Sequence, residues 1–130
     1  MSAPRVLVVM PAQWPRALIR AELREAGYDA VGARDLLEAL GTPDAPGPFR
    51  LILLDQSALS DGDPAVLREL LDRLVSRHDG TRVLLLAGTT HEAPEGPWLQ
   101  VLRRPMSISD IVAAVGRAVP LPEGERQPLD

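Results

Sequence analysis

The sequence predicts an α/β fold, a parallel sheet with helices on both faces. Three short runs carry this inference: Arg5-Val6-Leu7-Val8-Val9-Met10, Arg50-Leu51-Ile52-Leu53-Leu54-Asp55 and Arg82-Val83-Leu84-Leu85-Leu86-Ala87. Each is apolar without polar alternation, as expected of a strand buried on both faces of a parallel sheet. Between the runs lie segments with apolar residues at helical spacing, and alternation of strands with helices favours parallel pairing.

In order, Val6 to Met10 forms the first strand, Pro11-Ala12-Gln13-Trp14-Pro15 reads as a loop, and Pro15 suits the first turn of the helix that follows. From Arg16 to Ala26 the apolar positions Ile19, Leu23 and Ala26 share one face. Gly27 is a natural stop. Asp29 to Gly32 reads as a short edge strand. Asp35 caps a short helix from Leu36 to Leu40, and the prolines and glycines of 42–48 mark a loop. After the strand ending at Asp55, residues 56–63 have turn chemistry. Asp63-Pro64 is an N-cap followed by proline at the first helical position, and Leu67, Leu70, Leu71 and Leu74 form a clean helical face ended by Asp79-Gly80. The third buried strand ends near Gly88. Residues 89–97 carry two prolines, a glycine and no apolar face, so no helix of ordinary length is expected there. Trp98 to Leu102 reads as a fifth strand. Ser107 with Asp110 makes a capping box for a last helix bearing Ile111, Val112, Val115 and Val119. Residues 1–119 are thus expected to form one domain, and 120–130 a polar tail or linker stub.

Composition narrows the functional classes. A chain of 130 residues suits a single domain. Its net charge of −4 argues against a nucleic-acid partner, which needs a basic face. The absence of cysteine excludes disulfides and thiolate metal sites. All 14 of its basic residues are arginines, so no mechanism can use a titratable amine. The apolar run near the start is broken by Pro11 and Pro15, unlike a secretory signal, and no apolar stretch approaches membrane-spanning length. A cytoplasmic protein without membrane association is the expectation.

Asp55 is the leading candidate for chemistry, because open α/β sheets place their sites outside the carboxyl ends of the strands. Asp61 and Asp63 read as turn and cap residues. His78 and His91 read as surface residues, and neither has a partner at ligand spacing. Ser57 and Ser60 fit no nucleophile motif, and the glycines are scattered at element ends with no phosphate-binding loop among them. Trp14 and Trp98 are candidates for protein contact or for covering the core.

Several stretches resemble the receiver domains of two-component response regulators. These are Leu23-Arg24-Glu25-Ala26-Gly27-Tyr28, Ala33 with Glu38-Ala39-Leu40, Leu51 to Asp55, and Pro105-Met106-Ser107-Ile108-Ser109-Asp110-Ile111. The resemblance runs from Arg5 to Val119. It implies a flavodoxin-like, CheY-like doubly wound sheet of five strands in the order 2-1-3-4-5, here with the fourth helix shortened or missing. It makes Asp55 the equivalent of the phosphoacceptor, Ala87 that of the switch hydroxyl residue, and Arg104 that of the lysine before a cis-proline.

The same resemblance exposes losses. The acidic pair that helps a receiver hold Mg²⁺ corresponds to Met10 and Pro11, which offer no side-chain oxygen, and Ala87 has no hydroxyl. Thr89 could substitute for it only with a shift of register. The expectation is a degenerate, phosphorylation-independent pseudo-receiver, not an enzyme, with no cofactor. Its partners would be signalling proteins or a second copy of itself, with a contact edge at Met10, Pro11, Trp14 and Arg104. The alternatives are a true receiver that binds Mg²⁺ and is phosphorylated on Asp55, and a small enzyme or nucleotide-binding protein on the same fold.

Overall fold

A computed structural model of the chain describes residues 3–43, 45–60, 62–88 and 93–121. Five strands, β1 (Arg5–Val9), β2 (Asp29–Ala33), β3 (Leu51–Asp55), β4 (Arg82–Ala87) and β5 (Trp98–Arg103), pair in parallel in the order β2-β1-β3-β4-β5. Four α-helices accompany them: α1 (Gln13–Ala26), α2 (Leu36–Leu40), α3 (Pro64–Arg77) and α4 (Ile108–Ala118). This is the predicted doubly wound architecture.

Successive strand residues point to opposite faces, so the uninterrupted apolar runs supply two cores at once. Val6, Val8, Leu51, Leu53, Leu84 and Leu86 pack with Ile19 and Leu23 of α1 and with Ile111, Ala114 and Val115 of α4. Leu7, Val9, Ile52, Leu54, Val83 and Leu85 pack with Leu36 and Ala39 of α2 and with Leu71 and Leu74 of α3. Every residue of β1 and β3 is buried, as two covered faces require. The Tyr28 hydroxyl donates to the Val119 carbonyl at 2.7 Å, tying the end of α4 to the start of β2.

The predicted caps form. Asp35 accepts from the Glu38 N–H at 2.8 Å, Asp63 from the Ala65 N–H at 2.9 Å, and Ser107 and Asp110 bond reciprocally at 3.0 and 2.9 Å. Two readings need correction. Helix α1 begins at Gln13, not after Pro15. Proline is tolerated in a first turn because the N–H it lacks has no intrahelical acceptor there, so Trp14 is helical and not in a loop. His78, expected at the surface, is fully buried. Its Nδ1 accepts the Phe49 N–H at 3.2 Å, and its ring meets Phe49 edge-on with centroids 4.9 Å apart.

Between β4 and β5 the described residues, Gly88 and 93–97, are non-helical. This connection folds on its own tryptophan: the Trp98 Nε1–H donates to the Pro94 carbonyl at 2.6 Å, and the indole lies so close over Gly96 that a Cβ there would clash. Beside it, β5 is only half covered, and Leu99 is 46% exposed. Residues 89–92, which include Thr89 and His91, lie outside the described residues, as do Asp61 and the tail from residue 122.

Candidate functional site

The carboxyl ends of β3, β4 and β5 converge on Asp55, which closes β3 and is 5% exposed. A buried carboxylate must find donors inside the protein. Arg104 supplies one: its Nη2 lies 2.7 Å from Asp55 Oδ1. The arginine is aimed there by its backbone, because the Arg104 N–H donates to the Ala87 carbonyl at 3.1 Å and pins the end of β5 to the end of β4. The Arg104–Pro105 peptide that follows is cis.

The second oxygen, Oδ2, is held by Ser57. Its backbone N–H donates at 3.1 Å and its hydroxyl makes a further short hydrogen bond. The pattern is an Asx-type turn that carries the chain from β3 into a 3-10 turn, Gln56–Leu59. The Gly88 N–H at the end of β4 donates to Gln56 Oε1 at 3.2 Å. Asp55, Gln56, Ser57, Ser60, Gly88 and Arg104 line a hollow of about 270 Å³. The donors that face Asp55 and the Gly88 N–H therefore already have acceptors within the chain.

The remaining expected site residues divide. Ala87 lies at the end of β4, fully buried, and presents a methyl group. Met10 is 2% exposed and belongs to the α1/α4 core, so it is not part of a contact edge. The strand alternation explains this, because Met10 continues the inward series Val6, Val8. Pro11 is exposed, and Trp14, in the first turn of α1, is 75% exposed. Pro11 also lines a cleft of about 330 Å³ with Leu36, Leu37, Ala58, Leu67 and Leu70. Leu37 on its rim is 70% exposed.

The residues that were not anticipated as functional are Ser57 and Gln56. The signal for Ser57 was its place two residues after a strand-ending aspartate, the usual spacing of an Asx turn.

A Mg²⁺ ion of the kind receivers use does not fit these residues. Mg²⁺ needs near-octahedral oxygen ligands, normally including carboxylates. The end of β1 supplies none, and among the described residues lining the hollow Asp55 is the only carboxylate. Among the described residues no three His, Asp or Glu side chains are grouped to hold a metal.

No protein-family model and no curated protein matches the sequence. Solved structures do match. A CheY-like response regulator receiver domain from Methanospirillum hungatei superposes with a TM-score of 0.69 at 19% identity, over 89% of this chain and 93% of that one. The response regulator TrrA from Thermotoga maritima, in complex with Mg²⁺ and BeF, gives 0.68 at 20% identity over 89% and 99%. NtrX from Brucella abortus, in complex with ADP, gives 0.70 at 22% identity over 89% of this chain. The chain spans about a quarter, 26%, of that NtrX chain. This chain thus has the fold of the CheY-like receiver domains. Among the described residues no helix is long and apolar enough to cross a membrane.

Removal of Arg104 should leave the Asp55 carboxylate short of a donor. Because the arginine side chain is 42% exposed and water can partly replace it, Arg104→Ala is expected to destabilise the fold by about 1–3 kcal/mol. Arg104→Lys should recover part of that loss. Urea unfolding checks both, and an Arg104→Ala variant as stable as the parent contradicts the assignment.

Proposed function

We propose that this chain is a signalling module of the two-component receiver type that acts through protein partners without phosphorylation of Asp55. The observation that carries this reading is the double engagement of the Asp55 carboxylate by Arg104 and Ser57. Phosphoryl transfer depends almost wholly on positioning and charge neutralisation. An incoming phosphoryl group would have to displace the arginine from Oδ1 or the serine from Oδ2, in a site without metal-binding carboxylates at the end of β1. Asp55 therefore serves as an internal counter-ion and turn former.

Partner binding is assigned to the edge beside it. Pro11, the exposed Trp14 and Leu37 offer apolar surface there, beside a cleft that Leu67 and Leu70 line together with Arg34, Asp35 and Ser57. Tryptophan is the residue type most enriched at binding hot spots. The partner is a signalling protein, and the module is non-enzymatic and cytoplasmic.

Incubation with acetyl phosphate and Mg²⁺, followed by intact-mass measurement, should give no phosphoryl adduct. A stoichiometric adduct that vanishes in Asp55→Asn would instead establish a working receiver. Trp14→Ser should change stability by no more than about 0.5 kcal/mol, since an exposed side chain held for a partner does little for the fold. A larger loss would make Trp14 a structural cover.

A further inference from the structure

Helix α1 carries Arg16, Arg20 and Arg24, four residues apart on one side and about 6 Å from each other along the axis. Like charges at this spacing destabilise a helix. Elsewhere such arginines have a carboxylate beside them: Arg34 pairs with Glu38, Arg68 with Asp72, and Arg73, which has Arg77 four residues on in α3, pairs with Glu69. On α1 the acidic residues Glu22 and Glu25 lie neither three nor four positions from any of the three arginines. Among the described residues, none of the three arginines has a carboxylate within ion-pair distance.

The row is held in place by the backbone. Arg16 Nη1 donates to the Met10 carbonyl at 2.6 Å, and Arg20 and Arg24 donate through Nε to the Ala30 carbonyl at 3.5 and 3.1 Å. The stems of Arg16 and Arg20 lie flat across β2 at Gly32, where a Cβ would come within 2.8 Å of Arg20 Cδ and 3.2 Å of Arg16 Cδ. Burial, followed by the charges of Arg24 and Arg16, lowers the Arg20 pKa. Guarding the outer edge of β2 against strand addition accounts for the contact to Ala30. It does not require three adjacent cations without a counter-charge. Arg20 and Arg24 are tethered by Nε, and among the described residues the Nη groups of neither have an acceptor, an arrangement that suits a carboxylate fork.

We propose that the Arg16–Arg20–Arg24 row is a docking surface for an acidic segment of a partner protein, read through its side-chain carboxylates. A short acidic segment, whose charge can stay within the three-arginine row, is favoured over nucleic acid, whose backbone charge would run on over a chain that carries −4 as a whole. The surface is independent of the state of Asp55.

The test is fluorescence anisotropy of the full chain with a short labelled oligoglutamate at low ionic strength, beside labelled oligothymidylate of equal length. Saturable oligoglutamate binding is expected, weakened at least about tenfold in Arg20→Gln/Arg24→Gln and less than about twofold in Arg68→Gln/Arg73→Gln, which removes the same charge elsewhere. The Arg20→Lys/Arg24→Lys variant keeps the charge without the fork and should weaken binding about threefold. It also secures the test if the glutamine variant does not fold. The proposal is overturned by absence of saturable binding, by equal losses in the α1 and α3 glutamine variants, or by tighter binding of oligothymidylate.

Discussion

Where β3 ends, the Asp55 carboxylate leaves water, and the protein must replace the hydration it loses. A buried charge without partners costs several kcal/mol, whereas a paired and hydrogen-bonded one is tolerated. Arg104 and Ser57 meet that need from opposite sides, one on each oxygen. The ion pair joins the ends of β3 and β5 across β4, and the Arg104 N–H to the Ala87 carbonyl closes the same link through the backbone. The local arrangement of the candidate site follows: the turn after β3, the aim of Arg104 and the placement of Gln56 toward Gly88. Partner removal is predicted to be costly, while replacement of the whole pair by apolar residues need not be.

In the proposed reading, this constraint is what sets the chain apart from a phosphorylated receiver. Met10, just after β1, and Ala87, at the end of β4, are buried and offer neither a carboxylate nor a hydroxyl. The nearby apolar surface shifts outward to Pro11, Trp14 and Leu37. The arginine row of α1 lies along the outer edge of β2, so two chemically different faces flank α1. One is apolar, near its N-terminus, and the other is cationic, along β2.

Much of this was legible in the sequence because the buried runs are unambiguous. Strands with every residue buried cannot be mistaken for half-exposed ones, and Asp35, Asp63 and Ser107 announce the helices they cap. The errors share a cause, which is that tertiary partners decide what local pattern leaves open. His78 looked solvated because it stands at a helix end without a partner at ligand spacing, but the Phe49 N–H and ring claim it. Met10 was assigned to a contact edge, although counting by twos from Val6 places it in the core with Val6 and Val8. The arginine spacing on α1 was visible, but not that Gly32 lets the stems lie across β2. Ser57 was read only as a turn residue, although an Asx turn implies a hydrogen bond to the preceding aspartate.

The most direct measurement is a titration of the protein with Mg²⁺ and then beryllofluoride, following amide NMR shifts at Asp55, Ala87 and Arg104. The Asp55–Arg104 account predicts no saturable response at millimolar metal, because Asp55 is already neutralised by Arg104 and has no second carboxylate beside it among the described residues. A saturable response that disappears in Asp55→Asn would contradict it and make Asp55 the centre of a working phosphoryl site.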